Sequence, residues 1–155
     1  VKIGNDNHLQ FIYGHDCQVK DHVTAGPYVH LRPDTVISDH VKIGNYVEVK
    51  NSNVGEGTKL PHLTYIGDSD IGSGVKLGCG CLTVNYDGQK KHRTIIGDNA
   101  FVGCNTNLVA PVTVQANTYI GAGSTITKEV PENALGIARA KQKNIEGWAE
   151  KYRNS

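Results

Sequence analysis

The sequence is dominated by a six-residue repeat, which constrains the fold more than any other feature. One mostly apolar position recurs at steps of six, the step shortens to five twice, and the pattern resumes after an interruption at residues 85–94. The repeat positions are Val19, Ala25, Leu31, Ile37, Ile43, Val49, Val54, Leu60, Ile66, Ile71, Leu77, Thr83, Ile96, Val102, Leu108, Val114, Ile120 and Ile126. The residue two places earlier is small or β-branched, and the residue that follows is often glycine.

Two inward positions spaced by two indicate short β segments with one buried face. A glycine at the next position allows a bend where a side chain would clash. Because three such segments close a triangle, the sequence predicts an all-β parallel β-helix of about 18 residues per coil, a coil being one turn of the helix. The spacing alone does not fix the handedness.

Two segments depart from the repeat. Residues 85–94 carry no inward apolar residue and are either a surface loop or an active-site or interface arm. Pro131 ends the repeats, and the tail is expected to hold a loop and a short amphipathic helix that could cap the open end of the β-helix. The predicted organisation is therefore a β-helix domain at 1–130, interrupted by an insertion at 85–94, and a tail at 131–155.

Composition excludes several classes of protein. The 155 residues indicate one domain, and 16 basic against 15 acidic residues argue against a nucleic-acid or membrane-surface partner. No apolar run approaches the roughly 18 residues of a membrane span. The cysteines Cys17, Cys79, Cys81 and Cys104 lack zinc-site spacing, so we expect free thiols, a reducing compartment and a cytoplasmic protein. The first residue is Val1, which we interpret as a cut.

Regular coils also predict which side chains stack, at about 4.8 Å per coil. Arg32 and Lys50 both follow an inward residue and lie one coil apart, beside a column of His30, Glu48 and Tyr65. Either Glu48 neutralises the two cations in a surface salt-bridge network, or the cations converge on a phosphate.

A second predicted column lies at the corner that leads into this face and contains Asn45, His62, Cys79, Cys104 and Ala122. A surface histidine is usually only solvated. Beside a cationic pocket and at the foot of a groove lined by small residues, however, His62 is a candidate general base.

Several motifs are more specific than the repeat. They are GPYVHLRPDT at 26–35, IGNYVEVK at 43–50, HLTYIGD at 62–68, NYDG at 85–88, TIIGDNAFVG at 94–103, LVAPVTV at 108–114 and IARAKQ at 137–142. Together they resemble the C-terminal acetyltransferase domain of the bacterial GlmU family, the bifunctional enzymes that make UDP-N-acetylglucosamine. The resemblance extends from about Gly26 to Trp148.

The resemblance implies a left-handed β-helix and a homotrimer whose active sites lie between subunits. It implies acetyl transfer from acetyl-CoA to the amine of glucosamine 1-phosphate, a step that supplies cell-envelope polymers such as peptidoglycan. The family's N-terminal uridylyltransferase domain, which uses UTP and magnesium, is absent from this chain. No metal is expected in the present domain.

On the sugar side, the resemblance carries over residue by residue. His62 matches the proton acceptor, Arg32 and Lys50 match ligands of the sugar phosphate, and Tyr65 matches a sugar contact. Lys76 stands where the family usually has an asparagine that binds the sugar, and either reaches the phosphate or points into solvent.

On the coenzyme side, Asn85 and Tyr86 match contacts near the reacting centre, Asn85 also being a candidate substrate ligand. Arg139 matches a cationic contact to CoA in the tail. The positions that match the lining of the CoA channel are Cys79, Cys104 and Ala122.

The mechanism that follows as a hypothesis uses His62 to remove a proton from the sugar amine as it attacks the thioester. Glu48 orients or polarises His62, or pairs with the amine. A backbone N–H near Cys79 or the Asn85 amide stabilises the oxyanion.

Three other readings are open at this point. A different hexapeptide acyltransferase would act on another amino sugar or a hydroxyl. A γ-type carbonic anhydrase needs three metal-binding histidines, and the seven present form no convincing trio. A non-catalytic β-helix would bind a surface through threonine ladders, but most threonines at repeat positions are predicted to point inward.

Overall fold

The computed structural model describes all 155 residues and is a parallel β-solenoid of about eight coils. Its strands are β1 Lys2–Ile3, β2 His8–Leu9, β3 Ile12–Gly14, β4 Cys17–Val19, β5 Thr24–Ala25, β6 Val29–Leu31, β7 Thr35–Ile37, β8 Lys42–Lys50, β9 Asn53–Val54, β10 Lys59–Gly67, β11 Ser69–Ile71, β12 Lys76–Leu77, β13 Leu82–Val84, β14 Thr94–Ile96, β15 Phe101–Val102, β16 Asn107–Val109, β17 Val112–Val114, β18 Tyr119–Ile120, β19 Thr125–Ile126 and β20 Leu135–Gly136. One helix, α1 Trp148–Arg153, follows near the C-terminus.

The core is built from the residues that the repeat selects. Every apolar repeat position and every small or β-branched residue two places before it is buried, which confirms the predicted β-helix. Buried hydroxyl groups are largely satisfied by backbone carbonyls; Thr58 Oγ1, for example, donates to the Gly72 carbonyl at 2.8 Å. The interior is therefore mostly apolar with short polar side chains near the corners.

The coils stack in strict register on three faces. Face B is a seven-stranded parallel sheet in the order β1-β4-β7-β9-β11-β14-β17, and a thirteen-stranded sheet forms faces A and C. The pairings align the inward repeat residues in columns along the helix axis. Those columns are Leu31, Val49, Ile66 and Thr83 on face A, and Ile43, Leu60, Leu77, Val102 and Ile120 on face C.

Two strands are longer than the repeat predicts. β8 and β10 each run for nine residues around the corner from face C to face A. Tyr46 and Leu63 bend the chain there with φ values of 60° and 50°, while pairing between the two coils continues on both sides of the bend. This continuous corner carries His62.

The repeated glycines mainly provide space rather than an unusual backbone conformation. A Cβ atom on Gly44 would overlap the carbonyl oxygen of Pro61 in the next coil. The left-handed φ at this corner belongs instead to Tyr46, two residues later. The predicted clash is therefore confirmed, but the turn itself is made by a different position.

The insertion at 85–94 folds back on itself. Tyr86 and Lys91 form an antiparallel bridge, and the His92 N–H donates to the Asn85 carbonyl at 2.8 Å. The segment is thus a short hairpin projecting from the corner between faces A and B.

Pairing with the β-helix continues past Val130. β20 pairs with β18, and the Thr125 N–H donates to the Ala138 carbonyl at 3.1 Å. The predicted short helix is confirmed as α1, but none of its residues is buried, so it does not cap the open end. No helix in the structure has the length and hydropathy needed to cross a membrane.

Candidate active site

The corner between faces C and A brings together the predicted histidine column. His62 on β10 is in register with Asn45 on β8. The pairings of β10 with β12, β12 with β15 and β15 with β18 extend the column through Cys79 and Cys104 to Ala122, as predicted. The His62 side chain is exposed and makes no hydrogen bond within the chain, so its imidazole is open to a ligand.

Above His62, the column continues with the small side chains of Cys79, Cys104 and Ala122. The Cys79 carbonyl accepts the Asn105 N–H at 2.9 Å, and the Cys104 carbonyl accepts the Gly123 N–H at 2.8 Å, which fixes the coil spacing. All four cysteines are free, as predicted. At the far end, Arg139 Nη1 donates to the Ala122 carbonyl at 2.7 Å and places a cation beside the column.

On face A, the stacked cations both have carboxylate partners. Arg32 Nη1 donates to Glu48 Oε1 at 3.0 Å, and Lys50 Nζ lies 3.5 Å from Asp68 Oδ2. The register also confirms the column of His30, Glu48 and Tyr65. The salt-bridge alternative is therefore present in this structure, and Glu48 contacts Arg32 without a hydrogen bond to His62.

The hairpin at 85–94 adds a third cation that the sequence analysis missed. Lys91 lies close to Lys50, and this like-charged neighbour lowers the pKa of Lys91. Its Nζ is also 5.6 Å from the centroid of the Tyr86 ring. Three cations, Arg32, Lys50 and Lys91, thus face two carboxylates, which leaves one positive charge unmatched.

Asp68 is a second residue that sequence reasoning missed. Its side chain is buried, and its carboxylate accepts from Asn85 Nδ2 at 2.7 Å and from Asn51 Nδ2 at 2.7 Å, besides its contact with Lys50. Burial raises the pKa of Asp68, but the hydrogen bonds from Asn51 and Asn85 and the charge of Lys50 together lower it below its usual value. The carboxylate is therefore held ionised.

A signal for Asp68 and Asn51 exists in the sequence. Both lie where the repeat step shortens from six residues to five, after Val49 and after Ile66. Like residues at the regular corners, both adopt left-handed conformations, with φ of 45° for Asn51 and 50° for Asp68. A polar residue at an irregular corner beside two cations was the available clue.

The remaining predicted residues are distributed around this corner. Tyr65 Oη accepts from Asn85 Nδ2 at 3.2 Å, which links face A to the hairpin. Tyr86 is exposed, and its hydroxyl donates to the Gly88 carbonyl at 2.8 Å. Lys76 lies on face C in register with Lys59 and Phe101, exposed and without an ion pair. Within this chain, Lys76 is therefore not joined to the Arg32–Lys50 pair.

No group of three histidine, cysteine, aspartate or glutamate side chains has a geometry that would hold a metal ion. The corner combines an open imidazole, a column with two thiols and a set of cations with one unmatched charge.

The comparisons with known proteins agree with the repeat and with the motifs. The family described as bacterial transferase hexapeptide (six repeats) matches residues 16–51 and 93–128. A protein named bifunctional protein GlmU from Caldicellulosiruptor saccharolyticus is 58% identical over 147 residues, which cover 95% of this chain and 32% of that protein. The protein of the same name from Clostridium perfringens is 58% identical over 149 residues, covering 96% of this chain and 33% of that protein.

Among solved structures, a variant of GDP-perosamine N-acetyltransferase from Caulobacter crescentus, in complex with CoA and GDP-perosamine, matches with a TM-score of 0.54 and 20% identity. The match covers 75% of this chain and 50% of that one, and at this identity it supports the fold alone. The chain spans about a third of the length of the curated relatives it matches. The sequence matches fit the C-terminal acetyltransferase domain of GlmU and confirm the predicted resemblance.

Proposed function

We propose that this chain, which fits the acetyltransferase domain of the GlmU proteins, transfers the acetyl group of acetyl-CoA to the amine of glucosamine 1-phosphate. The observation that carries the proposal is the register that sets an unbonded His62 in line with a column of small side chains, beside a corner with three cations. The 58% identity to GlmU proteins supports the choice of substrates.

In this proposal His62 accepts a proton from the sugar amine as the nitrogen attacks the thioester carbon. The C–N bond forms, the tetrahedral intermediate collapses, and the C–S bond breaks to release CoA as the thiol. An exposed imidazole suits this role because histidine side chains commonly serve as general bases in enzymes. Holding both substrates against the same corner supplies much of the remaining rate.

The sugar phosphate is proposed to bind between Arg32 and Lys50, with Lys91 of the hairpin as a third ligand. A guanidinium offers two N–H groups to phosphate oxygens, and the two ammonium groups add charge. The unmatched positive charge of the cluster favours an anion at this point. Tyr65 would then contact the sugar, and Lys76 would take part only if another subunit brings it to the site.

The coenzyme is proposed to run along the column from His62 to Ala122. Three coil steps of about 4.8 Å give roughly 14 Å, which suits an extended pantetheine arm. Cys79 and Cys104 line this path, Asn85 and Tyr86 contact the acetyl end, and Arg139 contacts a phosphate at the other end.

The larger organisation belongs to the same proposal. A homotrimer would supply a second wall for a site that is open on one side in a single chain. The relatives' description as bifunctional, and the third of their length that this chain spans, support a second domain in the parent protein, and the family resemblance implies that this domain is a uridylyltransferase. We place the enzyme in the cytoplasm, with 1–130 as the β-helix domain and 131–155 completing the CoA site.

A coupled assay of CoA release tests the proposed function. Glucosamine 1-phosphate should be acetylated, and glucosamine without the phosphate should react far less efficiently because it cannot engage the cations. Efficient acetylation of a different amino sugar or a hydroxyl, with no turnover of glucosamine 1-phosphate, would instead support another hexapeptide acyltransferase.

A further inference from the structure

Asn85 is held by two hydrogen bonds that both use its amide nitrogen. Nδ2 donates to Asp68 Oδ2 at 2.7 Å and to Tyr65 Oη at 3.2 Å. A primary amide nitrogen has two N–H groups, so both donors are occupied. Neither N–H remains free for a ligand.

The opposite side of the same amide is available. Asn85 Oδ1 accepts no hydrogen bond from the protein, yet it is not among the buried polar atoms without a partner, so it reaches solvent. An oxygen in this position can only accept a hydrogen bond from a ligand.

The carboxylate of Asp68 determines this orientation. An ionised carboxylate accepts hydrogen bonds and donates none, so the nitrogen side of the amide must face it. Rotating the amide by 180° would place Oδ1 against Oδ2 and replace a charge-assisted hydrogen bond with a repulsion. Asn51 and Lys50 hold the same carboxylate from the neighbouring coil, at 2.7 Å and 3.5 Å, so Asp68 itself has little freedom to turn.

We propose that Asp68 is a positioning residue that presents Asn85 to the substrates as a hydrogen-bond acceptor. This inference rests on the proposed function. Asn85 Oδ1 then receives an N–H of the sugar amine and directs the nitrogen lone pair toward the thioester. The oxyanion is served by the backbone N–H near Cys79, since the Asn85 N–H groups are committed to Asp68 and Tyr65.

Asp68 also affects how strongly the neighbouring Lys50 attracts an anion. Its charge lies 3.5 Å from Lys50 Nζ and therefore weakens the attraction of that ammonium for a phosphate. Replacing Asp68 by an uncharged residue should therefore have different effects on orientation of the sugar amine and on binding of the sugar phosphate. Amine orientation should be lost, and phosphate binding should not weaken.

The test compares Asp68→Asn, Asn85→Ala, the double variant and Asp70→Asn as a matched control. Asp70 is on the same coil and is bound by Arg93 at 2.8 Å and 3.0 Å, but it does not contact Asn85. Asp68→Asn should lower kcat by about 10- to 100-fold, with a KM for glucosamine 1-phosphate that does not rise. Asp70→Asn should keep kcat within about twofold of the wild type.

The double variant separates positioning from a general structural defect. Because Asp68 acts on kcat through Asn85, its kcat should lie within about twofold of that of Asn85→Ala. A multiplicative loss of kcat, or a rise in KM with Asp68→Asn, would overturn the inference.

A second measurement does not depend on turnover. In the wild-type protein, NMR should show slow solvent exchange of the Asn85 side-chain amide protons, and Asp68→Asn should accelerate it whereas Asp70→Asn should not. Fast exchange in the wild type would overturn the inference even if a variant fails to fold. If the wild type does not acetylate glucosamine 1-phosphate but its Asn85 amide is protected, the proposed function fails while the hold of Asp68 on Asn85 stands.

Discussion

Glu48 and Arg32 are joined across one coil step by a hydrogen bond of 3.0 Å from Nη1 to Oε1. Both side chains are partly exposed, so a pair of this kind contributes about 0.2–1 kcal/mol. A phosphate that binds Arg32 must compete with Glu48 for the guanidinium. The arrangement therefore places Glu48 at the phosphate end of the site as well as in the column next to His62.

Replacing Glu48 by glutamine should release Arg32 for the substrate. We expect the KM for glucosamine 1-phosphate to fall by about 2- to 5-fold, which corresponds to the free energy of a partly exposed ion pair. Steady-state kinetics with saturating acetyl-CoA would measure this. A loss of kcat as large as that of a His62 variant, with KM unchanged, would place Glu48 in the proton relay instead.

Removing the imidazole of His62 should reduce turnover strongly. His62→Ala is expected to lower kcat by about 10²- to 10⁴-fold, the range for loss of a general base. His40→Ala is the matched control, because His40 is also exposed at a corner and stacks on His22 with ring centroids 4.8 Å apart. Near-normal turnover of the His62 variant would remove this residue from the proposed mechanism.

Lys50 should act mainly on substrate affinity. Lys50→Ala removes one of three clustered cations, and we expect the KM for glucosamine 1-phosphate to rise by about tenfold with a smaller change in kcat. Lys20→Ala, an exposed lysine elsewhere on the β-helix, should leave both parameters near wild type. An unchanged KM for Lys50→Ala would move the phosphate site to another part of the surface.

The hairpin should show a specific response to acid. Asp87 accepts the backbone N–H groups of Lys90 and Gln89 and pairs with His92 Nε2 at 2.7 Å. The Lys90 N–H, followed by the His92 side chain and the Gln89 N–H, lowers the pKa of Asp87 from 3.8 to about 2.

Because the folded-state pKa is depressed, the stabilisation of the hairpin is complete above pH 3.8 and is lost as the pH falls through about 2. NMR titration of the Asp87 carboxyl should give this midpoint, and His92→Ala should move it upward while His40→Ala should not. An Asp87 midpoint near 3.8 in the wild-type protein would contradict the hydrogen bonding described for this turn.

The fold could be predicted because each repeat position has the same packing surroundings in every coil. Val49 and Ile66 must both fill the middle of face A, so a single spacing rule fixes their depth and their neighbours. The column of His62 followed from the same register. The left-handed sense remains a prediction of the family resemblance, since hexad spacing is compatible with either hand.

The parts of the site that escaped prediction are those where the repeat is irregular. Asp68 and Asn51 occupy shortened corners, and Lys91 belongs to an inserted hairpin whose path no spacing rule describes. The partner of Glu48 was also undetermined, because a carboxylate in the column next to two cations can reach either of them or the histidine. Side-chain contacts of this kind depend on rotamers, which the register does not fix.

The strict register has a consequence for how this protein comes apart. Each coil is hydrogen-bonded only to the coil before it and the coil after it. The unfolding of one coil therefore directly destabilises only its two neighbours. Unfolding should begin at the two end coils, because each of them has a neighbouring coil on only one side. The corner that carries His62 lies on interior coils, whereas the proposed coenzyme site extends to Ala122 near the C-terminal end, so unfolding from that end should weaken coenzyme binding before it displaces His62.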